Sequence, residues 1–256
     1  MPLVLRTGRL LVILSCAFGC NPNGNSVAAH KDVLPPALDN APAAPAEDSP
    51  LVVASSKGIM LGAAKLGALA DVPEHGDFAP LAGALAPLLA PAKSEARILA
   101  HQSVSFAALL TLVTTAQHAG AERVVLLGND SHGKASGVAL DAASASLASA
   151  SHVTELPDGF LVWTKGGHLG PGCKVFGAGA TVPRRTTPEG NRVPDYDALR
   201  SCLFGLRAAA AEPKLSGDVF VVTERDGSIT QVASLYAAIG VILSVNGSFQ
   251  IALGNP

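Results

Sequence analysis

Residues 51–61 read Leu51-Val52-Val53-Ala54-Ser55-Ser56-Lys57-Gly58-Ile59-Met60-Leu61. Two short apolar runs meet at Lys57-Gly58, the pattern of a strand, a turn and a second strand. Outward from there, apolar positions at Phe78, Leu81, Leu85, Leu88 and Leu89 predict a helix. Arg97-Ile98-Leu99-Ala100 is a short strand leading into His101-Gln102-Ser103-Val104-Ser105-Phe106. An amphipathic helix then carries Leu109, Leu110 and Val113 to Gly120, and Val124-Val125-Leu126-Leu127-Gly128 closes the unit. Residues 160–254 repeat this order. Leu161-Val162-Trp163 turns at Gly166-Gly167, Tyr196 to Leu206 reads as the first helix, and Val219-Phe220-Val221-Val222 is the middle strand. Asp226-Gly227-Ser228-Ile229-Thr230 takes the place of the His101 segment. A helix through Leu235 and Ile239 and the strand Phe249–Gly254 end the copy. Self-similarity at long spacing predicts architecture without depending on one residue. The expected fold is α/β (α+β): two tandem ββαβαβ modules, each a small mixed sheet covered by two helices. Module 1 spans 51–128, a Ser/Ala/Gly-rich connector 129–156, and module 2 157–256.

The order of elements resembles the periplasmic domain of the ExbD/TolR biopolymer-transport family. The local match is Ile98-Leu99-Ala100-His101-Gln102-Ser103-Val104-Ser105-Phe106 with the helix exit Ala116-Gln117-His118-Ala119-Gly120-Ala121-Glu122-Arg123-Val124. In the first copy His101 stands where the family usually has Asp, and in the second Asp226 keeps an acid there. The resemblance implies a small sheet under two helices that works as a dimer, beside a motor coupling proton flow to force on envelope partners. Two fused copies would then imitate that dimer in one chain.

At the N-terminus, Arg6 and Arg9 precede the apolar run Leu10–Leu14 and Ser15-Cys16-Ala17-Phe18-Gly19-Cys20. This is a charged region and a short apolar region of secretory-signal length. It is shorter than the roughly 20 apolar residues of a spanning helix. A small residue just before Cys20 resembles the bacterial lipoprotein signal, which predicts a signal peptide over 1–19 and lipid attachment at Cys20. Residues 20–50 are rich in Pro, Ala and Asn with no apolar period, a tether that would reach roughly 30 Å as a coil and roughly 90 Å extended. Asn21 rather than Asp after Cys20 favours the outer membrane. The expected location is the periplasmic side of the envelope.

Removing the signal leaves two of the four cysteines in the folded region. An oxidising compartment permits Cys173 and Cys202 to bond, and two small buried apolar residues are the alternative.

The chain has 18 Lys plus Arg against 20 Asp plus Glu, so no basic face points to nucleic acid. Gly128-Asn129-Asp130-Ser131-His132-Gly133-Lys134-Ala135 nearly spells a phosphate-cradling loop, but Ala135 replaces the magnesium-binding hydroxyl. No His-x-His or His-x-x-x-His pair places two metal ligands on one face, and no Gly-x-Ser-x-Gly elbow offers a nucleophile. No metal site and no cofactor are therefore expected. Glu224 and Asp226 alternate on an extended segment and so share a side, where they could act as acid and base. Arg184-Arg185 could clamp an anion.

These readings predict a non-catalytic, lipid-anchored envelope protein with an accessory or scaffold role in biopolymer transport or envelope energy coupling. Its expected partners are envelope proteins, ExbB/TolQ-like motor subunits among them, or the cell wall, and it is expected to form a pseudo-dimer or homodimer. A periplasmic hydrolase or metal-dependent enzyme centred on Glu224 and Asp226, and a peptidoglycan-binding lipoprotein, are the competing readings. Retained metal would favour the first and peptidoglycan capture the second.

Overall fold

A computed structural model describes residues 48–89, 95–129, 134–142, 150–215, 219–224, 232–245 and 250–254, with Val33, Leu38, Ala41, Pro42, Ala44 and His132 as single positions. The Cys20 lipid site and Asp226 lie outside the described residues.

The first half runs β1 (Leu51–Ser55), β2 (Gly58–Leu61), β3 (Ala64–Gly67), α1 (Ala79–Leu85), β4 (Glu95–Ala100), α2 (Phe106–His118), β5 (Arg123–Asn129) and β6 (Ala135–Ala142). The second runs β7 (Ser151–Leu156), β8 (Gly159–Thr164), β9 (Gly167–His168), β10 (Val182–Pro183), β11 (Arg185–Thr186), β12 (Arg192–Val193), α3 (Tyr196–Ala208), β13 (Val219–Glu224), α4 (Val232–Ser244) and β14 (Gln250–Gly254).

The fold is mixed α and β, with four α-helices among the described residues and one large mixed sheet. Its strand order is β10-β8-β7-β13-β14-β6-β5-β4-β1-β2-β3, with β9 also on β8. The two halves share a pairing pattern. β1 is antiparallel to β2 and parallel to β4, which is parallel to β5. In the same way β7 is antiparallel to β8 and parallel to β13, which is parallel to β14. The expected pair of separate small sheets is not what forms. β6 lies antiparallel to β5 and parallel to β14, joining both halves into one sheet.

The phase of the second copy also differs from expectation. Leu161–Trp163 belongs to β8, the second strand, and the opening strand is β7. Both β6 and β7 fall in the stretch read as a connector. Gly58 and Gly159 mark the true correspondence, because each opens the second strand at positive φ, +116° and +152°. A Cβ at Gly58 would sit 2.3 Å from the Gly67 carbonyl, and one at Gly159 would sit 2.2 Å from that of Val182. Only glycine lets β3 and β10 come so close.

One core joins the helices to one face of the sheet and includes Val52, Ile98, Val124 and Leu126 from the first half with Val153, Phe160, Val222 and Ile251 from the second. α2 starts at Ser105, whose side chain accepts from the Ala108 amide, and ends before Gly120 at φ +108°. α4 begins on backbone of the other half, where the Val232 and Ala233 amides donate to the Val104 and Gln102 carbonyls at 2.7 and 3.3 Å. These bonds satisfy amides that every helix start leaves unpaired. On the opposite face Leu51, Val53, Leu99, Val125 and Leu127 pack with Val33 and Ala44. Part of the stretch read as a free tether is thus held. The Leu38 amide donates to Asn129, Gly137 donates to Pro42, and Ala44 donates to Ala135, at 2.7, 3.0 and 3.2 Å.

Candidate functional site

Strand alternation places Glu155 on the same face of β7 as Val153, toward the helices. By the register of the parallel pair, it is the Cα partner of Glu224 on β13. Ala54 takes the corresponding place in the first half, so the second half exchanges a methyl for a carboxyl at an inward position. Glu155 is 2% exposed, and its Oε1 accepts from Arg184 Nη2 at 3.0 Å. Arg184 also donates to the Leu156 carbonyl at 3.4 Å, and its backbone amide donates to Asp158 at 3.0 Å.

Tyr196, the first residue of α3, lies near enough to feel the charges of this pair. Its ring lies 5.4 Å from that of Phe160, and its hydroxyl donates to the Ser234 carbonyl at 3.5 Å. Asp195 fixes the helix start by accepting from the Ala198 amide at 2.9 Å.

The electrostatics follow from burial. Desolvation outweighs the attraction of Arg184 and pushes the Glu155 carboxyl up to about 7. Burial, with the charge of Glu155 next, pushes the Tyr196 phenol up to about 12. The cluster therefore offers one group that gains or loses a proton near neutrality, one fixed cation, and a neutral phenol.

The site differs from the sequence expectation. Of Arg184-Arg185, Arg184 is spent on Glu155, while Arg185 is exposed on β11. Glu224 ends β13 as the Cα partner of Glu155, whereas its proposed companion Asp226 is outside the described residues. Glu155 itself was missed. The signal that could have found it is alternation in Val153-Thr154-Glu155 once β7 is recognised as a strand.

His101 sits at the end of β4, and its Nδ1 accepts from the Ser103 amide at 3.1 Å and lies 2.6 Å from the Ser103 hydroxyl. An Asp in a turn makes the same local bond two residues on. Cys173 and Cys202 form a disulfide, with Cα atoms 5.6 Å apart, tying the loop after β9 to α3. Ala135–Ala142 is a strand antiparallel to β5, so the stretch 128–135 leads into a hairpin partner and not into the helix a phosphate loop requires. His152 and His168 flank Trp163, with ring centroids 5.1 and 4.9 Å away. No group of three His, Cys, Asp or Glu side chains that could hold a metal occurs among the described residues.

Compared with protein-family models, with curated proteins and with solved structures, the chain matches none.

Proposed function

We propose that this chain is a non-catalytic, lipid-anchored envelope protein whose halves are ExbD/TolR-like modules fused into an intramolecular pseudo-dimer. It serves as an accessory or scaffold module in biopolymer transport or envelope energy coupling. The observation that carries this reading is the common pairing pattern of the two halves inside one continuous sheet. Shared packing adds to it, since α4 starts on the first half's backbone and Tyr236 reaches the Leu127 carbonyl. The Cys173–Cys202 bond is in keeping with an oxidising compartment. The Ser103 amide bonds His101 as it would an Asp in such a turn, which is in keeping with the resemblance. Among the described residues no helix is long and apolar enough to cross a membrane. In this reading the proton-carrying intramembrane acid of the family is supplied by partners, and this chain acts on the force or contacts they deliver.

The hydrolase reading draws on Glu155, an acid that titrates near neutrality. Its burial beneath α3 and its bond to Arg184 describe a structural ion pair more directly than a general base open to substrate.

Envelope crosslinking followed by mass spectrometry of partners and of the mature N-terminus tests the proposal. ExbB/TolQ-like motor subunits recovered with lipidated Cys20 would support it. An unmodified N-terminus with no envelope partner would overturn it, and peptidoglycan capture without motor subunits would move the assignment to a cell-wall binding lipoprotein.

A further inference from the structure

The β11–β12 hairpin forms a two-stranded sheet of its own, apart from the main one. Arg185, Thr186 and residues 188–192 are exposed, and the element extends from the main sheet between two roots. The roots differ in kind.

The C-terminal root is fixed redundantly. Asp195 caps α3, Tyr196 packs on Phe160 and bonds Ser234, and α3 is tied through Cys202 to Cys173. The N-terminal root consists of β10, paired with β8, and Arg184 directly after it. The Arg184 backbone amide reaches Asp158, Pro183 pairs with Gly159, and the Arg184 guanidinium bonds Glu155 and Leu156. Arg184 Nε is buried and finds no hydrogen-bond acceptor among the described residues.

We infer that the β11–β12 hairpin is a proton-gated arm, attached to the sheet while Glu155 is ionised and loosened when Glu155 takes up a proton. The charged carboxylate holds Arg184 by a charge-assisted bond in a water-poor setting, the strong form of such a contact. The neutral acid keeps only a carbonyl acceptor for the guanidinium. Arg184 is 16% exposed at its side chain and lies close enough to solvent to hydrate by moving outward with the arm. The cost of an unpaired, partly buried cation drives that movement.

The groups that set the equilibrium come from each neighbouring element. Arg184 faces Glu155 from the hairpin root and Tyr196 from α3, β8 contributes the uncharged Phe160, and the backbone of β13 runs alongside with Glu224 in register. His152, three residues earlier on β7, lies on the other face against Trp163. Burial of Glu155 brings its proton exchange to about neutral pH. The inference does not depend on the family reading, because it concerns attachment of the arm and not the partner.

The test is amide hydrogen exchange on the full chain in detergent at about pH 8.5 and about pH 5.5, corrected for intrinsic rates. The protection factor of the Arg184 amide is expected to fall at least about fivefold at the lower pH, with residues 199–206 of α3 unchanged. E155Q is expected to show the low value at both pH values, and R184Q likewise, with α3 protection reporting that each variant is folded. Equal Arg184 protection at both pH values in the wild type would overturn the inference. So would an undiminished pH response in E155Q, or a loss of protection that spreads equally through α3.

Discussion

The hydroxyl of Tyr236 on α4 donates to the carbonyl of Leu127 on β5, so a side chain of the second half completes the backbone of the first. Tyr236 is fully buried, and burial raises its phenol well above the ordinary range, which keeps it a donor at every working pH. Y236F preserves the ring and leaves the Leu127 carbonyl without this donor. The expected cost is about 1–3 kcal/mol, read as an earlier but still single urea transition by both tryptophan fluorescence and far-ultraviolet circular dichroism. Two separated transitions in the wild type would mean that the halves do not share one cooperative core.

Glu155 gives the protein a pH-dependent stability of definite sign. Its carboxyl moves from 4.5 in the unfolded chain to about 7 in the folded one. Between these values the folded state holds the extra proton, so stability falls as pH rises through the window, by at most about 3 kcal/mol. E155Q removes this slope. Urea midpoints at about pH 5 and about pH 8 check it, and parallel behaviour of wild type and E155Q would show that Glu155 does not titrate there. The sign is opposite to that for arm attachment, so the two readouts separate the overall fold from the local latch.

The Cys173–Cys202 bond closes a loop of sequence separation 29. A loop of that length predicts that C173S/C202S loses about 3–4 kcal/mol relative to the oxidised protein. Denaturation with and without reductant gives the wild-type difference. The double variant is expected to match the reduced wild type and to be insensitive to reductant.

His101 tests whether a turn recognises chemistry or identity. H101D supplies an acceptor for the Ser103 amide and is expected to stay within about 0.5 kcal/mol of wild type near pH 7. H101A removes the acceptor and is expected to cost about 1 kcal/mol. Equal losses in both variants would assign the effect to the imidazole ring.

Much of the first half could be read from sequence because its strands are apolar on both faces, as in Leu51-Val52-Val53, and both faces are covered. β7 was misread because its two faces carry different chemistry. Val153 enters the core, while Thr154 bonds Thr223 across the opposite face at 2.7 Å, so Ser151–Leu156 looks like a polar connector. β6 was missed for another reason. Ala135-Ser136-Gly137 has little strand propensity, and its place is set by strands on both sides that lie far away in sequence. The Glu155 site inherited the first error, since a buried acid cannot be recognised before its strand is. The disulfide was open in sequence between bonded and merely buried cysteines, a choice that depends on Cα proximity.

The seam made by β6 has a consequence for copy number. A homodimer built from separate chains comes apart as it is diluted, because its stability includes a concentration factor. Here β5, β6 and β14 belong to one polypeptide, and the joint is complete in a solitary molecule. The sheet ends in β3 at one margin and in β10 at the other. Substitutions at one margin can therefore accumulate without being copied to the other, a freedom that identical subunits lack.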